Sequence, residues 1–264
     1  MELSINEQTV YAYTGTKPLS AGQPTVIFVH GAGMDHSAWI LQSRYFAYHG
    51  YNVLALDLPG HGRSSGAPLS TIGALADWLA QLIEITGLGP ATLVGHSMGS
   101  LAVLECAARY PERVQALALL GTAVPMTVGQ ALLDAAEAND PAAIDMIVHW
   151  GHSPRAHFGG NRAPGLWLAG ISQRLLERAA DGVLYQDLQA CNSYQAGLDS
   201  AAKVSCPVLF VLGAQDLMTP VRVAQQLVAA ISQAQQVKIP YCGHMMMIEK
   251  PDETLDALID FIRA

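Results

Sequence analysis

The sequence predicts an α/β fold built on a mostly parallel sheet with helices on both faces. Three observations predict it. Short runs that are apolar at every position recur along the chain, as strands buried on both faces require. Segments with apolar residues three and four apart separate those runs. The alternation is interrupted once, between about residues 123 and 202, where no strong strand run occurs.

The elements follow in chain order. Glu2 to Tyr13 reads as one or two antiparallel edge strands. Thr25 to Val29 is a continuous apolar run, and Tyr51 to Leu56, Ala91 to Val94, Ala116 to Leu120 and Val208 to Leu212 repeat it. Gln236 to Ile239 is a weaker example. Helical spacing marks Ser37 to Tyr48, Ile72 to Thr86, Ser97 to Arg109, Val221 to Ala230 and Asp252 to Ile262. Pro220 and Pro251 stand at or near helix starts, where a missing N–H costs little. Strand alternating with helix implies a parallel sheet covered on both sides. The stretch 123–202 is too long for a structureless loop. It is expected to be a helical insertion, a lid, within a single domain whose core is 1–122 and 203–264.

The 264 residues suffice for one domain with a well-buried core. Apolar residues make up 51% and charged residues 14%, so no stretch reads as disordered. The net charge of −8, from 14 basic and 22 acidic residues, argues against nucleic acid or an anionic membrane as partner. The N-terminal residues lack the basic start and apolar core of a signal peptide, and no apolar run is long enough to span a bilayer. Cys106, Cys191, Cys206 and Cys242 are scattered, without C-x-x-C spacing. Free thiols and a cytoplasmic location are therefore expected.

Gly95-His96-Ser97-Met98-Gly99 matches G-x-S-x-G between a strand and a helix. That context holds a serine in a sharp turn beyond the carboxyl end of the sheet, and it sets the Met98 N–H at a helix N-terminus, which favours developing negative charge. A serine hydroxyl needs a base. Of nine histidines, His244 is the one on a strand-to-helix loop near the C-terminus. Asp216 lies just past another strand, in Gly213-Ala214-Gln215-Asp216. The order Ser, Asp, His and the shared sheet edge make these three the candidate catalytic set, with Asp199 as the rival acid. The turn Asp57 to Ser64 lacks the ending of a phosphate loop and reads as structural support. His149, His152 and His157 lack the tight pairing and the Cys or carboxylate partners of a zinc site, so no metal is expected.

With His30-Gly31-Ala32-Gly33 after one strand, Asp57-Leu58-Pro59-Gly60-His61-Gly62-Arg63-Ser64 after the next, the Ser97 turn, Gly213 to Asp216, and Gly243-His244, the chain resembles the α/β-hydrolase superfamily. The nearest likeness is to lid-bearing serine esterases, C–C bond hydrolases and cofactor-free perhydrolases. The resemblance implies an eight-stranded sheet and a triad of Ser97, Asp216 and His244. It also implies an oxyanion hole from the N–H groups of Ala32 and Met98, with Gly31 or Gly33 as alternative donors. No cofactor is implied.

Specificity is expected from the insertion, which should shape the pocket without supplying a catalytic acid or base. Gly31, Gly33, His96, Met126, Trp150, Trp167, Met218 and Met245 are the candidate substrate-binding residues. The expected reaction is hydrolysis of a small, neutral, apolar carboxylic ester through an acyl-enzyme. The alternatives are C–C bond hydrolysis of a diketone-like or dienoic substrate, acyl transfer to peroxide, and a ligand receptor on a hydrolase scaffold. Oligomeric state is not legible.

Overall fold

The computed structural model describes residues 1–160, 163, 165–232 and 234–263. Residues 161, 162 and 164 of the expected insertion therefore lie outside the description. The strands are β1 (Glu2–Ile5), β2 (Gln8–Tyr13), β3 (Thr25–Val29), β4 (Asn52–Leu56), β5 (Ala91–His96), β6 (Val114–Leu120), β7 (Val208–Gly213) and β8 (Gln235–Ile239). They form one eight-stranded sheet in the order β1-β2-β4-β3-β5-β6-β7-β8. The β1–β2 and β2–β4 pairs are antiparallel, and every other pair is parallel.

The core helices are α1 (Ile40–Tyr48), α2 (Ile72–Thr86) and α3 (Met98–Arg109), followed after the break by α10 (Val221–Ala230), α11 (Met246–Glu249) and α12 (Pro251–Arg263). Between β6 and β7 run α4 (Gln130–Glu137), α5 (Ala142–Gly151), α6 (Pro154–His157), α7 (Leu168–Leu176), α8 (Val183–Ser193) and α9 (Gly197–Ala201). No strand interrupts them among the described residues.

Both sheet faces are buried, and alternate residues of each strand serve opposite faces. Ile27, Leu54, Leu93, Leu119 and Phe210 pack with α2, α3 and α10 in one cluster. Phe28, Val53, Val94, Leu120 and Val211 pack with α1, α12 and several of α4–α8 in the other. This two-sided burial explains why the strands read as unbroken apolar runs. The antiparallel β1 and β2 are only partly buried, and among the parallel strands the exception is β8, an edge strand exposed at four of its five positions. Its Gln235, Gln236 and Lys238 keep that edge wet and weaken its signal in the sequence.

The order β4-β3-β5 places the reversal of strand progression between β3 and β5. Loops diverge there and leave a crevice at the carboxyl ends of the strands, where open α/β sheets bind ligands. The His30–Gly33 loop leaves β3 and the Ser97 turn leaves β5, so the two border that crevice.

Candidate functional site

Ser97 occupies the turn from β5 into α3 with φ +52° and ψ −119°, a conformation costly for a residue with a side chain. Two close approaches enforce it. A Cβ on Gly95 would lie 2.4 Å from the Gly99 carbonyl, and one on Gly99 would lie 2.5 Å from the carbonyls of Val29 and His30. Only glycine fits at either position, which is why this spacing carries structural meaning. The turn is pinned further by the Ser97 N–H, which donates to the Leu120 carbonyl at 2.9 Å.

His244 follows β8, and its Nδ1 lies 2.8 Å from Asp216 Oδ2. Both side chains are almost fully buried. The Asp216 carboxylate also accepts the backbone N–H groups of Met218 and Thr219 at 2.8 Å, and the Thr219 hydroxyl at 2.6 Å. Burial alone would raise the Asp216 carboxyl, but His244 and these donors outweigh it and hold the group at about 2. A fixed anion thus faces Nδ1 and selects the tautomer that leaves Nε2 able to accept. His244 Nε2 is buried and has no hydrogen-bond partner. The rival Asp199 is exposed on α9, while Asp216 holds the histidine.

His96 packs beside His244 with ring centroids 4.6 Å apart and the rings tilted by 51°, and its Nε2–H donates to the His244 carbonyl at 3.0 Å. Burial, reinforced by His244, pushes the His96 pKa well below the usual histidine value. His96 therefore remains neutral and braces the His244 backbone.

Ser97 and His244 open onto one cavity of about 180 Å³. Ala32, expected as an oxyanion donor, lines it, and so do His96, Met126, Trp150, Met218 and Met245 of the candidate substrate-binding residues. Leu132, Ile147, Leu188, Cys191 and Thr219 line it as well, and no Lys, Arg, Asp or Glu does among the described residues. Three anticipated contacts differ. Trp167 is 63% exposed and lies in a separate surface groove with Ile40, Leu41 and Ile171. As the residue before α7, it lays its ring against Gly170 of that helix's first turn, where a Cβ would lie 2.1 Å from the ring. Gly31 and Gly33 are buried behind Ala32 and do not line the cavity. The Gly33 N–H is moreover committed to Asp187 Oδ2 at 2.9 Å, which removes it as an oxyanion donor.

Outside the cavity, the expected supporting turn is tightly bound. Asp57 accepts the backbone N–H groups of His36 and Arg63 at 2.7 and 2.8 Å. The insertion histidines serve local packing. His152 bonds the Val148 carbonyl and the Ser172 hydroxyl, and His157 bonds the His149 carbonyl. Sequence reading missed Thr219, Asp187 and Glu249, because a threonine in a loop and single acids on helices carry no local signature of their partners.

A family model for the alpha/beta hydrolase fold matches residues 24–251. The chain belongs to the α/β-hydrolase family. Among enzymes similar to this α/β-hydrolase is the (E)-2-((N-methylformamido)methylene)succinate hydrolase of Acinetobacter baylyi, 28% identical over 98% of this chain and 95% of that one. Another is the pimeloyl-[acyl-carrier protein] methyl ester esterase of Chromobacterium violaceum, 26% identical over 90% of this chain and 94% of that one. The enol-lactonase of Burkholderia xenovorans superimposes with a TM-score of 0.87 at 21% identity, over the full length of both chains, a likeness of fold. This α/β-hydrolase is an enzyme, with hydrolases and esterases as its relatives. No helix among the described residues is long and apolar enough to cross a membrane.

Proposed function

We propose that this enzyme is a serine hydrolase that cleaves a small, neutral, apolar carboxylic ester. Ser97 Oγ adds to the ester carbonyl while His244 Nε2 takes its proton. Asp216 orients the imidazole and stabilises the imidazolium. The N–H groups of Ala32 and Met98 receive the negative charge of the tetrahedral intermediate. His244 returns the proton to the departing alkoxide, leaving an acyl-Ser97 ester. Water, deprotonated by His244, then releases the acid. The segment 123–202 acts as the lid that shapes the acyl site, and the proposed location is cytoplasmic, in keeping with four free cysteines.

The observation that carries the reading is a strained serine and an Asp-oriented histidine on one cavity whose lining, among the described residues, holds no carboxylate or cation. A succinate carries two carboxylates at neutral pH, and an uncompensated buried charge is costly. The lining therefore favours an uncharged acyl group over a substrate like that named for the Acinetobacter relative. The test is a panel of p-nitrophenyl esters of rising acyl length, run with a diketone substrate and with peroxide as alternative acceptor. A fluorophosphonate should label Ser97 once, and Ser97→Ala should lose labelling and at least about 10³-fold in turnover. Labelling that persists in Ser97→Ala would remove Ser97 from the nucleophile role. Faster cleavage of the diketone than of any ester would move the substrate class to C–C bonds.

A further inference from the structure

The cavity loop His30–Gly33 is held from the insertion. Asp187, on α8, accepts the Gly33 N–H at 2.9 Å and the Nε2–H of His61 at 2.8 Å, both through Oδ2. The side chains of His61 and Asp187 are each about 2% exposed. His61 Nδ1 faces the Pro59 carbonyl at 3.0 Å, so both ring nitrogens meet acceptors. Burial lowers the His61 pKa, but the Asp187 carboxylate and the Pro59 carbonyl more than reverse this and raise it above the ordinary value. The neighbouring ring, His30, lies 4.9 Å away and is the neutral member. Its Nδ1–H donates to the Gly31 carbonyl, and its Nε2 accepts the Leu58 N–H. The charged partners of His61 are thus Asp187 and the more distant Asp57.

One face of α8 does two jobs. Leu184 and Asp187 meet Gly33, which has φ +67°, and a Cβ there would lie 3.0 Å from Leu184 Cδ1. Leu188 and Cys191, the next turn of the same face, line the cavity. Spacing of three and four residues sets all four side chains on that stripe. The acyl wall and the loop that carries Ala32 therefore share one rigid support.

We propose that Asp187, salt-bridged to His61, is a positioning residue that anchors Gly33 and so fixes the Ala32 N–H for oxyanion binding. The claim rests on the serine-hydrolase reading of the cavity. Backbone donors stabilise charge only at short, fixed distance from where it develops, and displacement by about 1 Å can cost about 100-fold. The segment expected only to shape the pocket thereby also supports transition-state geometry, without touching the reacting atoms.

The test compares wild type, Asp187→Leu, Asp187→Asn and the double variant His61→Leu/Asp187→Leu, with Ser97→Ala as reference. Readouts are kcat and KM for p-nitrophenyl butyrate, the inhibition constant of a short alkyl trifluoromethyl ketone, and the thermal midpoint. Addition of Ser97 to that ketone places an oxyanion where the ester intermediate would place one. Asp187→Leu should lower kcat about 100-fold with KM within about threefold, and weaken the ketone in parallel. Asp187→Asn keeps an amide oxygen able to accept both N–H groups and should stay within about tenfold of wild type. The double variant replaces a buried pair by apolar side chains, which often preserves stability. It guards against a misfolded single variant and should remain folded with low kcat. Wild-type kcat in either folded leucine variant, or a fall in kcat with ketone affinity unchanged, overturns the proposal alone. A wild type that neither turns over the ester nor binds the ketone overturns the site reading and this proposal together.

Discussion

The carboxyl group of Glu249 accepts the Gly243 N–H at 3.1 Å and the Ser153 N–H at 3.1 Å, so one buried side chain joins the residue before His244 to the start of α6. The Ser153 hydroxyl donates to its other oxygen. The Met245 N–H donates to the Gly151 carbonyl beside them at 3.0 Å. A similar tie reaches the helix behind Ser97. Glu105 of α3 accepts the Tyr194 hydroxyl at 2.6 Å and also binds Ser200. The α4–α9 segment is thus fastened by buried carboxyl groups to the His244 loop and to the helix that follows Ser97.

Glu249→Leu should therefore destabilise the protein by about 3 kcal/mol, because it strands two backbone donors and a hydroxyl in the interior. Urea unfolding measures this. It should also lower kcat where folding is intact, since Gly243 sets the backbone of His244. An unfolding midpoint equal to wild type would show that water satisfies these donors.

Trp150 lines the cavity and Trp167 does not. Trp150→Ala should shift the preferred p-nitrophenyl ester toward longer acyl chains. Trp167→Ala should leave the order of preference unchanged. The check is kcat/KM across the ester series for both variants, and a reordering by Trp167→Ala alone would reverse the assignment.

Asp216→Asn should cost about 10³- to 10⁴-fold in kcat/KM across the whole pH profile, because an amide cannot stabilise the imidazolium and can select the wrong tautomer; the larger figure is the one known from the serine-protease triad. Thr219→Val removes the hydroxyl bonded to Asp216 and should cost about tenfold. Undiminished activity of Asp216→Asn would transfer the orienting role to another group.

Stability should fall on the acid side of neutrality. Burial, with the nearby His61 cation, holds His30 at about 4 against an ordinary 6.5. A depressed folded value contributes stability above pH 6.5 that is lost as pH falls toward about 4, here about 3 kcal/mol. His96 acts in the same direction. His61, raised by its carboxylate, acts oppositely: its contribution is present below pH 6.5 and is lost as pH rises through its folded value. Asp216, held at about 2, contributes above its ordinary 3.8 and loses that contribution only in stronger acid. The urea midpoint should drop between pH 7 and pH 4.5. A flat midpoint over that window would mean that His30 and His96 gain a proton without cost.

Much of this architecture is legible in the sequence because its cause is local. A strand buried on both faces must be apolar at each position, as Val208 to Leu212 is, and a helix on the sheet must be apolar at three- and four-residue spacing, as Ile72 to Thr86 is. The turn at Ser97 also announces itself, since Gly95 and Gly99 are demanded by backbone atoms a few ångströms away. The candidate set Ser97, Asp216 and His244 follows from strand ends and chain order, which a parallel sheet converts into proximity. Nothing local marks Asp187 as the partner of Gly33, 154 residues earlier, or Glu249 as the partner of Ser153. Nor does the sequence separate Trp150, which faces the cavity, from Trp167, which faces solvent. Those outcomes depend on how α4 to α9 pack over the sheet, and helix packing is set by the summed shape of many side chains, which no short stretch of sequence encodes.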